Sequence, residues 1–107
     1  MQINYNRDKY LSEFSIKTLE DRYLIGDEKS PQEAFARAAR SFSDNDAHAQ
    51  RLYDYASKLW FMFSTPVLSN GGSARGLPIS CFLNYVDDSR EGITDHYTEN
   101  AFLSSVG

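Results

Sequence analysis

Ser30–Pro66 reads SPQEAFARAARSFSDNDAHAQRLYDYASKLWFMFSTP, and its spacing predicts two antiparallel helices joined by a short polar turn. Ser30 followed by Pro31 and then Glu33 combines an N-cap, a proline in the first helical turn and a capping-box glutamate, so a helix starts there. Phe35, Ala38, Ala39 and Phe42 then recur at the i, i+3, i+4, i+7 spacing of one buried face. The polar run Ser43–Asp46 ends this first helix near Phe42. Asp44 or Asp46 is positioned to cap a second, whose stripe of Ala49, Leu52, Tyr53, Ala56, Leu59, Trp60 and Phe63 makes a long amphipathic face. Thr65 precedes Pro66 and is pushed out of helical geometry, which predicts a stop by about Ser64 and a loop from there. The cluster Trp60, Phe61, Met62 and Phe63 is read as core, because aromatics at helical spacing more often pack than bind.

Upstream, residues 1–29 carry Tyr5, Tyr10, Leu11, Phe14, Ile16, Leu19, Tyr23, Leu24 and Ile25 without a clean period, which suggests short helices or turns lying against a core. Downstream, Ser69–Pro78 (SNGGSARGLP) holds Gly71, Gly72, Gly76 and Pro78 and predicts turns with close backbone approach. Ile79–Val86 alternates as a strand, with Ile79, Cys81, Leu83 and Tyr85 on one face, and is apolar on much of both faces. Asp88 with Glu91 marks another helix start, and Ile93, Tyr97, Ala101 and Ser104 align along that helix. A lone strand leaves its ladder groups unpaired, so a second segment outside this sequence is expected to complete the sheet.

The 107 residues have room for one small unit, and 41% hydrophobic content with seven Tyr, seven Phe and one Trp suits a folded chain. Eleven basic against fifteen acidic side chains leave a formal charge of −4, a poor match to a nucleic-acid polymer. No apolar run approaches the roughly 20 residues of a membrane span, and MQINYNRDKY lacks the apolar core of a signal peptide, so the expected location is cytoplasmic.

Cys81 is the only cysteine and cannot form an internal disulfide. Two readings stand: a reduced packing residue, the commoner role of a cysteine in an apolar strand, or a thiol that works with a cysteine elsewhere. Thr65, Ser69 and Ser80 put hydroxyls around the same loop, where exposed amides beside hydroxyls can hold a sugar or phosphate. The loop matches neither a P-loop nor a dinucleotide fingerprint. His48 and His96 are not at metal-ligand spacing, so no metal site is expected. Asp87 and Asp88 fit a helix start as well as they fit a charged site.

The block TPVLSNGGSARGLPISCFLNYVDDSREGI, Thr65–Ile93, resembles a segment of ribonucleotide reductase large subunits. There a Thr-Pro motif, a glycine-containing loop, a Ser-Cys pair and an Asp-Ser helix start follow in this order. The upstream helices, SPQEAFARAA and HAQRLYDYASKLWFMFSTP among them, are similar in type and order. The resemblance implies a mainly α chain: a helical N-terminal domain over 1–64, then over 65–107 the loop, first strand and first helix of a ten-stranded α/β barrel, incomplete on its own.

Carried over residue by residue, it implies that Thr65 and Ser80 contact the ribonucleotide substrate. Cys81 becomes one of two redox thiols. Asp88, Ser89 and Arg90 match the place where a deoxynucleoside triphosphate or ATP effector binds. The implied reaction reduces ribonucleotides to deoxyribonucleotides for DNA synthesis: a thiyl radical removes the 3′ hydrogen, the 2′ hydroxyl leaves as water, and two thiols become a disulfide. The radical cysteine, the second redox cysteine and the acid/base carboxylate all lie further on in the family.

The segment itself is expected to bind no cofactor. The resemblance implies a metal-radical centre on a separate small subunit, thioredoxin or glutaredoxin as reductant, and the remainder of the large subunit on a second chain. The short beginning has no room for the ATP-cone of many members, and the stop at Gly107 suggests a split reductase active only when joined to its other piece. The general resemblance favours class I and diphosphates. The alternative is a non-catalytic helical module, or a remnant, that binds and modulates a reductase.

Overall fold

The centre of the molecule is a helix that is buried nearly all round. In a computed structural model, which describes residues 1–81 and 88–106, a short 3-10 helix over Tyr5–Tyr10 leads into α1 (Glu13–Arg22). Then follow α2 (Pro31–Phe42), α3 (Asp46–Ser57), α4 (Thr65–Asn70) and α5 (Arg90–Val106). α1, α3, α4 and the 3-10 helix all pack on α2. Its alanines allow this: Ala34, Ala36, Ala38 and Ala39 are fully buried, and small side chains let neighbouring backbones approach closely. Phe35, Tyr53 and Leu68 join them in one core, flanked by Leu19, Tyr23, Leu52, Phe63 and Val67. Burial of a side chain the size of Phe35 contributes about 1.5–3 kcal/mol.

The predicted start of α2 is observed. Ser30 accepts the Gln32 amide at 3.2 Å, with Pro31 in the first turn. Glu33 reaches back one residue further than a standard capping box and accepts the Lys29 amide at 2.6 Å. The helix ends at Phe42 as expected. Phe42 itself is 47% exposed rather than buried, because it lies at the end of α2, its ring against Gly71.

α3 departs from expectation at both ends. Asn45, not Asp44 or Asp46, is its cap and accepts the His48 amide at 2.9 Å. The helix then stops at Ser57, well before Ser64. Leu59 adopts the left-handed conformation at φ 63°. The Trp60 amide donates back to Tyr55 O at 2.9 Å and the Leu59 amide to Ala56 O at 3.0 Å. These two bonds are a Schellman closure, and Trp60 completes it by stacking on Tyr55 at 5.2 Å between ring centroids. The stop turns the following aromatics outward, so Trp60 and Met62 are 68% and 83% exposed rather than core, while Phe61 and Phe63 are half-buried.

The loop expected from Ser64 is partly helical. Thr65–Asn70 forms α4, since a proline in the first turn costs no helical hydrogen bond and fits the helical φ. Leu68 anchors this short helix in the core.

At the far end, Ser89 rather than Asp88 accepts the Gly92 amide at the start of α5, at 2.9 Å. Ile93, Tyr97 and Phe102 on α5 are all exposed. The radius of gyration is 17.3 Å, against about 13 Å for a compact chain of this length. The described residues contain only helices, turns and irregular chain. The strand expected over Ile79–Val86 falls largely on 82–87, outside the described residues, and Ile79–Cys81 carries no ladder pairing.

A polar network fastens the amino terminus to the helices. Tyr53 is fully buried; its hydroxyl donates to Gln32 Oε1 at 2.8 Å and accepts the Asn4 amide at 2.9 Å. Gln32 Nε2 donates in turn to Asp8 Oδ1 at 2.8 Å. Arg7 lies over the Tyr53 ring and donates to Asp54 Oδ1 at 2.8 Å and Ser57 Oγ at 2.7 Å. The Tyr53 hydroxyl and both polar atoms of the Gln32 side chain thereby have partners, which avoids the penalty of leaving them bare.

Candidate functional site

Ser80 and Cys81 lie on the chain that leaves the helical layer, whereas Thr65 stands within that layer. Thr65 opens α4 and is exposed, and its Oγ1 accepts the Tyr23 hydroxyl at 3.3 Å. Beside it is an apolar cavity of about 220 Å³ whose walls include Leu11, Leu19, Tyr23, Phe35, Phe63 and Leu68.

Beyond α4 the chain turns at Gly71 and Gly72. Gly72 has φ +74°, and a Cβ there would fall 2.4 Å from Ser41 Oγ, so this turn requires glycine. Arg37 donates to Gly71 O at 2.7 Å and to Tyr23 O at 2.9 Å, and pairs with Glu28 at 3.0 Å. Asn70, buried at 9% exposure, donates from Nδ2 to Leu77 O at 2.8 Å. Ser80 and Cys81 follow, both exposed, with Ser80 Oγ 4.0 Å from the free thiol Sγ.

Asp88, Ser89 and Arg90 are exposed around the first turn of α5. Ser89 spends its hydroxyl on the Gly92 amide and its carbonyl on the Ile93 amide, while Asp88 and Arg90 flank the helix end where partial positive charge accumulates. Ser80 and Cys81 are thus adjacent, and Asp88–Arg90 forms a second group beyond residues 82–87.

Arg37 and Asn70 escaped the sequence reading as site-related residues. Arg37 carried one signal, a charge inserted in the alanine-rich face AFARAA; Asn70 carried none beyond its place before two glycines. His48 uses Nδ1 to accept the Asp44 amide at 3.0 Å. Among the described residues no three His, Cys, Asp or Glu side chains gather as a metal site, and no helix is long and apolar enough to cross a membrane.

Among the described residues two carboxylates are perturbed, both away from the thiol. Burial pushes Asp54 up, but hydrogen bonds from Arg7 and Gln50 together with the Arg7 charge outweigh it and hold its pKa below the usual value. The Lys29 amide holds the Glu33 pKa down against a smaller desolvation effect, and the Tyr5 phenol, bonded to that carboxylate at 3.1 Å, is raised. Burial raises Tyr53.

Residues 9–76 match the family model described as the ribonucleotide reductase all-alpha domain. The chain is 42% identical over 105 residues to a ribonucleoside-diphosphate reductase large subunit of Invertebrate iridescent virus 6, covering 98% of this chain and 11% of the relative. It is 43% identical over 106 residues to the large subunit of the same name from Invertebrate iridescent virus 3, covering 98% of this chain and 17% of that one. A ribonucleoside-diphosphate reductase subunit alpha of Helicobacter pylori is 34% identical over 115 residues, covering 99% of this chain and 15% of the relative. The chain therefore spans between 11% and 17% of the length of these curated relatives.

Proposed function

Since the chain belongs to the ribonucleotide reductase large-subunit family, we propose that it supplies the helical layer and one redox thiol of a ribonucleoside-diphosphate reductase, working with the remainder of a large subunit. The observation that carries this reading is the exposed free thiol of Cys81 beside Ser80, beyond a strapped glycine turn, in a chain matched almost end to end by such subunits. In this reading Thr65 and Ser80 offer hydroxyls to the substrate, and hydroxyls both donate to phosphate and orient a ribose. The names of these relatives, ribonucleoside-diphosphate reductases, favour a diphosphate substrate.

Cys81 provides half of a two-electron reduction. Two thiols become one disulfide, their two electrons and two protons replacing the C2′–OH bond by C2′–H and releasing water. The second thiol, the radical-bearing cysteine and the acid/base group come from the remainder of the large subunit, and the radical from a small subunit with its metal centre. Thioredoxin or glutaredoxin then returns the disulfide to dithiol. Asp88, Ser89 and Arg90 form the effector side: a helix N-terminus with an exposed arginine suits a triphosphate, and the Asp88 carboxylate suits sugar hydroxyls.

The test is a thioredoxin-coupled assay of the chain joined to the remainder of a large subunit and a small subunit. Cys81→Ser abolishes turnover on this account; undiminished turnover by that variant sinks it and leaves the binding-module alternative.

A further inference from the structure

We propose that Asn70 and Arg37 are positioning residues for the thiol segment, strapping the Gly71–Leu77 turn to the helical layer so that Ser80 and Cys81 emerge at one place. The proposal rests on the reading of Cys81 as a redox thiol. It starts from where one buried and one largely buried polar side chain spend their donors. Arg37 sits among fully buried alanines with its side chain only 12% exposed, yet two of its three partners are backbone carbonyls, those of Tyr23 and Gly71. A guanidinium holds its donors in one rigid fork, so it fixes the backbone directions at the end of α1 and at the first glycine together. Asn70 closes the other end through Leu77 O. Between these anchors Ser73 donates through its amide and hydroxyl to Asn70 O, at 3.1 and 2.8 Å, and accepts the Arg75 amide at 3.2 Å. Arg75 ties the middle of the turn to Arg22 O at 3.2 Å.

The consequence is a short tether. Cys81 lies ten residues beyond Gly71 but only four beyond Leu77. Four extended residues reach at most about 14 Å, ten about 35 Å. With effective concentration falling roughly as the −3/2 power of free length, the Asn70 strap raises the concentration of the thiol at its working position about fourfold. A packing role alone would be met by an apolar side chain at either position, without donors aimed at the backbone of this turn.

Asn70→Asp, whose ionised carboxylate cannot donate to Leu77 O, is the test. In the full chain, hydrogen exchange of the Ser73 and Arg75 amides accelerates about tenfold, the effect of one lost hydrogen bond, while amides of α2 and α3 hold their rates. With the remainder of a large subunit, kcat per folded chain falls about fourfold. Arg37→Lys, which keeps the charge facing Glu28 but loses the fork, shows the same pattern. Exchange unchanged in the turn, or faster equally everywhere, overturns the proposal. So does wild-type kcat in Asn70→Asp when Cys81→Ser is inactive. Full turnover in Cys81→Ser overturns the redox reading and this proposal with it, distinguishing the two failures.

Discussion

Removal of the Tyr53 hydroxyl isolates the contribution of the network that fastens the amino terminus. Tyr53 and Gln32 are both fully buried, and the hydroxyl stands between Gln32 Oε1 at 2.8 Å and the Asn4 amide at 2.9 Å. Tyr53→Phe keeps the ring, its contacts with the core and the Arg7 guanidinium above it, and deletes the bridge alone. Gln32 Oε1 is then a buried acceptor without this donor, at a cost of about 1–3 kcal/mol, and the part-buried Asn4 amide adds less. A total near 2 kcal/mol follows, which for a domain of this size lowers Tm by about 10 °C. Thermal unfolding followed by far-UV circular dichroism reads the shift. Combining the variant with Gln32→Ala separates direct coupling from packing, with about 1 kcal/mol of interaction expected between the two positions. A Tyr53→Phe midpoint within about 1 °C of the parent, or strict additivity with Gln32→Ala, would refute the assignment of this bond as a structural tie.

Acid sensitivity follows from Asp54 and Glu33, whose folded pKa values lie below their ordinary 3.8 and 4.5. The unfolded chain takes up protons first, so their stabilisation is complete above about pH 5 and lost as pH falls through the folded values. The urea midpoint should fall across that window, and Asp54→Asn should flatten the fall; an identical acid limb in that variant contradicts the assignment. Leu59 holds φ 63°, a conformation that costs a non-glycine residue about 1 kcal/mol, and its side chain is 43% exposed. Leu59→Gly should therefore leave stability unchanged or raise it by up to about 1 kcal/mol in urea unfolding, whereas a loss above 2 kcal/mol would show that its side chain matters more than its strain.

The helical layer was legible where local signals carry it. Ser30, Pro31 and Glu33 mark the start of α2, and Ala49, Tyr53 and Ala56 mark the inner face of α3. The stop at Ser57 was not legible because the Schellman closure uses leucine where glycine is the usual sign, its strain accompanied by the Trp60–Tyr55 stack. α4 was hidden by the Thr65–Pro66 pair, which reads as a break although proline is tolerated in a first turn. Contacts such as Asn4 with Tyr53, 49 residues apart, leave no periodic trace at all. Cys81, Thr65 and Ser80 were reached through ordered resemblance. Arg37 and Asn70 emerged only once the turn they strap was folded against α2.

The most direct measurement concerns the thiol itself. The chain, joined to the remainder of a large subunit and a small subunit, is given ribonucleoside diphosphate without external reductant, quenched, alkylated and analysed by mass spectrometry. Cys81 should pass into a disulfide in proportion to the deoxynucleotide formed. Deoxynucleotide appearing while Cys81 stays fully alkylatable would contradict the redox reading.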